Sequence, residues 1–242
     1  MKHVHRFFVS RPVAAGQRVC LGKEDSFHAA RVLRLKAGDR LELAGSDGRV
    51  FFAEVCGVED LVQATVVNEI TGNADGAELV VAQALPQGRK LEMVVEKLSE
   101  IGAARLVPLY TEKSVIPRID GATRKLERWR RIARSAAQQS RRPSVMDVDE
   151  PVDIGSWLAV FTGPVIALAT ETAGFPLGEA VAGVKPPLAL LVGPEAGFSD
   201  AEIILLKDAG ACFASLGAKV LRTETAALVA ASIALHRLGK LG

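Results

Sequence analysis

Two stretches decide how this chain is read: Leu190-Leu191-Val192-Gly193-Pro194-Glu195-Ala196-Gly197-Phe198-Ser199 and Ser215-Leu216-Gly217-Ala218-Lys219-Val220-Leu221-Arg222-Thr223-Glu224-Thr225-Ala226. Each follows an apolar, strand-like run and leads into a predicted helix. A strand ending in a glycine-containing loop is where an open α/β sheet builds a ligand crevice. Two such loops predict one pocket with two backbone walls. Neither carries G-x-G-x-x-G, and G-x-x-x-x-G-K-S/T occurs nowhere in the chain, so neither phosphate-cradling fingerprint applies. A backbone-lined pocket of this kind suits a ligand read by its base and by an apolar or sulfonium arm. Ordinary βα turns would carry similar glycines; the Arg222-Thr223-Glu224-Thr225 cluster at the second loop favours a functional pair.

The individual residues leave alternatives open. Thr223 is placed to N-cap the last helix, and Glu224 in its first turn suits the helix dipole. Arg222 has no such explanation and needs a partner or an anionic ligand. Glu195, in a Gly/Pro loop at a strand end, fits either a ribose hydroxyl or a helix cap. The histidines His3, His5, His28 and His236 are not spaced for a metal.

Outward from these loops the pattern alternates strand and helix. Leu79–Leu85, Arg105–Leu109, Val165–Ala169 and Leu188–Val192 read as strands of continuous apolar character, as in a parallel sheet covered on both faces. Leu91, Val94, Val95, Leu98 and Ile101 recur at helical spacing and end at Gly102. Leu126, Trp129, Ala133 and Ala136 give a basic helix one apolar stripe, and helices are expected over 200–209 and 223–238. Residues 1 to about 70 are different: short, partly alternating runs at Phe7–Val9, Arg40–Leu43, Val50–Val55 and Gln63–Val67, with one short helix over 26–33, predict a small β-barrel. The polar, Gly-rich stretch 71–77 marks the boundary, giving domains 1–72 and 73–242.

Composition sets the frame. The chain has 242 residues, 49% of them hydrophobic, with mean hydropathy +0.21, enough for a core and against disorder. No apolar run approaches the ~20 residues of a membrane span, and the N-terminus lacks a signal-peptide pattern. Cys20, Cys56 and Cys212 stand far apart and are expected as buried free thiols, which places the protein in the cytoplasm. Net charge is only +2, but residues 118–142 hold nine basic side chains against two acidic ones. A local positive field of this kind attracts phosphate backbones, although an Arg-rich helix face is more often simply solvated.

These residues resemble the RsmE family of 16S ribosomal RNA uracil-N3 methyltransferases, of the SPOUT superfamily. The likeness runs nearly end to end: His5-Arg6-Phe7-Phe8-Val9 and His28–Asp39 at the start, Lys90-Leu91-Glu92, Glu96–Gly102 and Thr111-Glu112-Lys113 in the middle, then Glu127–Arg142. It is strongest at Gly193-Pro194-Glu195-Ala196-Gly197 and Leu221-Arg222-Thr223-Glu224-Thr225. The chain departs from the family in carrying Ala196 where Gly is usual, Ala218-Lys219 for a Pro-Arg type pair, and Arg141 and Met146 for a usual Gly and Pro.

The resemblance implies an α/β fold: a C-terminal SPOUT domain with a mainly parallel sheet and a deep trefoil knot, plus an N-terminal PUA-like β-barrel. It implies S-adenosylmethionine (SAM) as cofactor, 16S rRNA in the 30S subunit as partner, a homodimer, and neither metal nor membrane. The cofactor would be held by Thr170 and Glu171 on one loop and Val192, Gly193, Pro194, Glu195 and Gly197 on the next. Leu216, Gly217, Val220, Leu221, Arg222, Thr223, Thr225 and Ala226 would complete that site. Arg222 is the expected catalytic cation, with Arg142 as a second and Glu224 as proton acceptor. Arg6, Arg31, Arg34, Arg128, Arg131 and Arg142 would hold RNA backbone. Two rivals are another SPOUT methylation on a different RNA target, and a non-catalytic RNA-binding or ribosome-assembly factor.

Overall fold

The computed structural model describes residues 4–70, 78–114, 122–169 and 174–242. They form two compact units, Met1–Gly76 with Ala137–Val145, and Ala77–Ala136 with Met146–Gly242.

The first unit is built on period-two alternation. Strands β1 (Arg6–Phe8), β2 (Arg18–Cys20), β3 (Arg40–Ala44), β4 (Val50–Gly57) and β5 (Gln63–Ile70) form one sheet in the order β1-β3-β4-β5-β2. Only the β1–β3 pair is parallel. Phe7, Val19, Leu41, Leu43, Phe51, Ala53, Val55, Ala64 and Val66 turn to one side and share a core, each large member contributing roughly 1.5–3 kcal/mol by leaving water. Register shifts at Phe52/Ala53 and Val55/Gly57 bend β4 and help the sheet curl. The alternation that buries Val19 and Val55 turns Cys20 and Cys56 outward, so both thiols are exposed rather than buried, and Cys212 is half-buried; all three are free.

The helix expected over 26–33 begins earlier. It runs as α1 (Lys23–Phe27) and continues as a π-helical turn over His28–Val32. The buried Ser26 hydroxyl fixes this entry, donating to the Leu21 carbonyl at 3.1 Å and accepting from the Val62 N–H at 3.0 Å.

The second unit is a parallel sheet. It contains β6 (Leu79–Ala84), β7 (Arg105–Tyr110), β8 (Asp147–Val148), β9 (Val152–Asp153), β10 (Val165–Leu168), β11 (Phe175–Pro176), β12 (Leu188–Val192) and β13 (Cys212–Ser215). The order is β11-β13-β10-β12-β6-β7-β8, with β9 also on β7. Strands β6 and β12 are buried at every residue, which explains their continuous apolar character. Among the helices are α2 (Lys90–Ile101), α3 (Ala122–Gln139), α4 (Ile154–Leu158), α5 (Leu177–Ala180), α6 (Asp200–Asp208) and α7 (Thr223–Arg237). Helix α7 packs against α2, β6 and β12. Helix α2 stops at Gly102, whose φ of +107° closes a left-handed cap on Leu98. Strands β8, β9 and β11 have two residues each, too few to leave a periodic signal.

Candidate active site

The cleft forms where the C-terminal ends of β10, β12 and β13 meet, the position an open parallel sheet reserves for ligands. Leu168 and Ala169 from β10, Val192 and Gly193 from β12, and Ala214 and Ser215 from β13 make its floor. Pro194, Glu195 and Gly197 form one wall, and Leu216, Gly217, Lys219, Val220 and Leu221 the other, with Thr223 and Ala226 behind. The space is about 670 Å³ including its open mouth, within the range usual for small-ligand sites.

The two loops need their glycines for different reasons. A Cβ on Gly193 would sit 3.0 Å from the Phe198 ring, whereas Gly197 and Gly217 have φ values of +71° and +101° that disfavour any L side chain. Ala196 is exposed and has no positive φ. The methyl group that distinguishes this loop therefore points to solvent and leaves the turn undisturbed. Phe198 is buried, and Ser199 opens α6 with a capping box to Glu202. Glu202 also accepts from the Glu112 N–H at 2.9 Å, and Lys113 donates to the Phe198 carbonyl at 2.7 Å, tying this loop to the end of β7.

Behind the cleft lies a polar network. The Thr223 hydroxyl donates to the Gly193 carbonyl at 2.6 Å and accepts from Gln83 Nε2 at 2.8 Å. Thr223 is thus the first helical residue and a cross-link between both loops and β6. The N-cap position belongs to Arg222, which corrects the expectation that Thr223 caps the helix. Among the described residues, Gln83 Oε1 and Glu224 Oε2 are buried without a hydrogen-bond partner. Glu224, in the first turn of α7, is 6% exposed, and the Lys90 ammonium lies 3.6 Å from Oε2. Glu195 caps no helix: Lys90 Nζ donates to its Oε1 at 2.8 Å. Burial pushes the Glu195 carboxyl up, but the hydrogen bond and charge of Lys90 outweigh it and hold it below its ordinary value; the same hydrogen bond raises Lys90.

Not every expected site residue joins this cleft. Val192, Gly193, Pro194, Glu195, Gly197, Leu216, Gly217, Val220, Leu221, Thr223 and Ala226 line it; Arg222 and Thr225 stand outside the lining and are exposed. Among the described residues no hydrogen bond or ion pair holds the Arg222 side chain. Thr170 and Glu171 lie outside the described residues. Leu168, Ala169, Ala214, Ser215 and Lys219 were missed, although lying at or beside a strand's C-terminal end was the signal for four of them. Arg142 belongs to the first unit and is buried. Arg6, also buried there, is spent on Glu42 at 2.8 Å and on the Arg141 carbonyl, so its charge is not offered to solvent. Arg31 and Arg34 in that unit are exposed, as is Arg131 in the other; Arg128 is exposed but pairs with Glu92 at 2.9 Å. Among the described residues there is no group of His, Cys, Asp or Glu fit to hold a metal, and no helix is long and apolar enough to cross a membrane.

A parallel α/β sheet with a backbone-lined cleft at its strand ends, in one chain with a small β-rich unit, defines a class: enzymes that bind a nucleoside-like cofactor beside an accessory domain. Comparison with known proteins narrows it. A family model described as an RNA methyltransferase domain matches residues 74–235, and one described as an RNA methyltransferase PUA domain matches residues 21–62. The ribosomal RNA small subunit methyltransferase E of Bacillus subtilis is 32% identical over 220 residues, covering 86% of each chain. A Legionella pneumophila structure with bound SAM superposes with a TM-score of 0.88 at 30% identity, covering 97% of this chain and 98% of that one. The SAM-bound ribosomal RNA small subunit methyltransferase E of Neisseria gonorrhoeae gives 0.87 at 25% identity, covering 98% of both. The chain belongs to the ribosomal RNA small subunit methyltransferase E family of RNA methyltransferases.

Proposed function

We propose that this protein transfers a methyl group from SAM to N3 of a uridine of 16S rRNA in the 30S subunit. The observation that carries the reading is the cleft itself: two glycine loops on the C-terminal ends of parallel strands, with an arginine at its edge that has no partner among the described residues. The lining fits the cofactor. Gly193, Gly197 and Gly217, which offer only backbone, line the space, Leu168, Leu216 and Leu221 supply apolar surface, and among the described lining residues Lys219 is the one cation, too few to cradle a phosphate. Val192, Gly193, Pro194, Glu195 and Gly197 would hold it from one side, and Leu216, Gly217, Val220, Leu221, Thr223 and Ala226 from the other, with Thr170, Glu171 and Thr225 completing the enclosure. SAM supplies an electrophilic methyl group when bound.

The chain's residues then act on the acceptor. Neutral uracil N3 carries a proton and is a poor nucleophile, so transfer requires that proton to leave as the N3–carbon bond forms. Holding N3 in line with the methyl group accounts for much of the acceleration. Arg222, whose side chain has no protein partner among the described residues, stabilises the negative charge that develops on the uracil oxygens, with Arg142 as a second candidate. Glu224 is the candidate proton acceptor: a buried carboxylate with one oxygen lacking a hydrogen bond. The base must be unstacked to enter. Residues 1–72 form the RNA-binding domain and 73–242 the methyltransferase domain; Arg31, Arg34, Arg128 and Arg131 contact RNA backbone.

Three further features belong to this reading. The order β13-β10-β12 carries the chain across β10 between β12 and β13, and a trefoil knot around the second loop is part of the same reading. Helix α7 has no polar face through its middle, and its half-buried Leu228, Val229 and Ile233 support a homodimer. The protein acts in the cytoplasm. Titration with S-adenosylhomocysteine tests the cofactor first, with binding expected near micromolar strength, about −8 kcal/mol. Methylation of 30S subunits lacking the mark, with the methyl group located by mass spectrometry, tests the rest. Arg222→Ala should lose at least about a hundredfold in turnover with its melting temperature unchanged. Retained turnover would sink its role, and no cofactor binding by the folded wild type would favour the RNA-binding rival.

A further inference from the structure

One ammonium group links the first wall of the cleft to the start of α7 behind it, and has no part in the reading above. Lys90 is the first residue of α2, just beyond the loop that leaves β6. Its Nζ donates to Glu195 Oε1 at 2.8 Å on the first loop and stands 3.6 Å from Glu224 Oε2 at the start of α7. The two carboxylates differ. Glu195 has a side chain 41% exposed, which water can solvate; that of Glu224 is 8% exposed, and its Oε2 has no hydrogen bond among the described residues. Burial makes an unpaired carboxylate oxygen costly, yet the nearest cation is committed to the exposed partner.

We propose that Lys90 is a positioning residue for the cofactor, its ammonium drawing the Glu195 loop and the N-terminus of α7 toward α2 and so setting the width of the cleft. This rests on the cofactor reading above. Its logic is one of shared donors. Lys90 has three N–H donors and no acceptor role, so it can serve both carboxylates at once only if they approach one another. Glu195 occupies one of these donors, which leaves two that can face Glu224 Oε2, 3.6 Å away, so a ligand that draws the Glu195 loop inward shortens that second contact. Cofactor binding and the pairing of the buried carboxylate are therefore coupled through one side chain. Against its burial, Glu195 is held below its ordinary value by Lys90, and Lys90 is raised by Glu195, in keeping with the 2.8 Å contact between them.

The test is calorimetric titration of the full chain with S-adenosylhomocysteine, comparing wild type, Lys90→Met, Lys90→Arg, Glu195→Gln and the Lys90→Met/Glu195→Gln double variant, each with a thermal melt. Lys90→Met should weaken binding about fivefold, the scale of a half-exposed ion pair. Lys90→Arg should restore most of that loss, and the double variant should bind no more weakly than the worse single. In methylation assays Lys90→Met should raise KM for SAM and leave KM for the RNA unchanged, a split that mere loss of stability would not give. Should Lys90→Met fail to fold, Glu195→Gln on the exposed loop must show the same weakening. Wild-type affinity in Lys90→Met, or additive losses in the double variant, would overturn the proposal while leaving the cofactor reading intact. Absence of binding by wild type would instead remove the cofactor reading, and this proposal with it.

Discussion

Thr223→Val exchanges a hydroxyl for a methyl group at nearly constant volume, at the point where both cleft loops and β6 are joined. The wild-type hydroxyl donates to the Gly193 carbonyl at 2.6 Å and accepts from Gln83 Nε2 at 2.8 Å, and Thr223 is 4% exposed. Each hydrogen bond contributes about 1 kcal/mol net. The two orphaned partners are not equivalent. The Gly193 carbonyl borders the cleft and can take a water. Gln83 is fully buried, already has an unpaired Oε1, and keeps only the bond from Nε2 to the Ala84 carbonyl at 3.0 Å. A further desolvated N–H brings the total cost to about 2–3 kcal/mol. For a unit of this size that lowers the melting temperature by roughly 4–10 °C. Differential scanning calorimetry reads the shift directly, and S-adenosylhomocysteine affinity should fall with it, because Gly193 loses its tether. Thr223→Ser keeps both bonds and should cost only about 1 kcal/mol for the lost methyl. Gln83→Leu in the Thr223→Val background should recover part of the loss, since removing both polar partners is less costly than stranding one. A Thr223→Val protein that melts within about 1 °C of wild type, or a double variant worse than the single, would refute the cross-link.

Three other outcomes follow from the geometry. Ala196→Gly should leave stability and cofactor affinity nearly unchanged, because residue 196 is exposed and has no positive φ, whereas Gly197→Ala, at φ +71°, should cost about 1–2 kcal/mol in chemical denaturation. Arg6→Ala strands the buried Glu42 carboxylate and should destabilise the first unit by about 3–5 kcal/mol; if urea melts are unchanged and only the salt dependence of RNA binding moves, Arg6 is an RNA contact after all. Arg141 adopts φ +57° just after α3 ends. Arg141→Gly should therefore raise stability by about 0.5–1 kcal/mol, the relieved strain exceeding the extra freedom of the unfolded chain, and a lowered melting temperature would show that the tie from its guanidinium to the Val4 carbonyl matters more.

What the sequence revealed and what it hid divide along a physical line. Strands β6 and β12, the stripe of α2 and the stop at Gly102 are legible because burial and turn conformation act on residue type one position at a time. Ala196 shows the limit of that reasoning. A substitution inside a glycine motif reads as strain, yet only the backbone angles reveal that the left-handed position is its neighbour. Thr223 is not the cap of its helix, and the partners of Thr223, Glu195 and Arg6 were hidden from the sequence for a different reason. Each has a local explanation, as helix cap, loop carboxylate or basic surface residue, and each is in fact used by a partner far along the chain. Glu195 is 105 residues from Lys90, Thr223 is 140 from Gln83, and Arg6 is 36 from Glu42. A polar side chain can satisfy its hydrogen bonds locally or at a distance for similar energy, so residue type alone cannot choose between them. Arg222 passes the same test in reverse. It had no local explanation in the sequence, and its side chain has no protein partner among the described residues. A cation at the rim of a cleft, next to a helix N-terminus that already repels positive charge, is held there against electrostatic preference, and a negative charge arriving from outside the chain is what would reward its position.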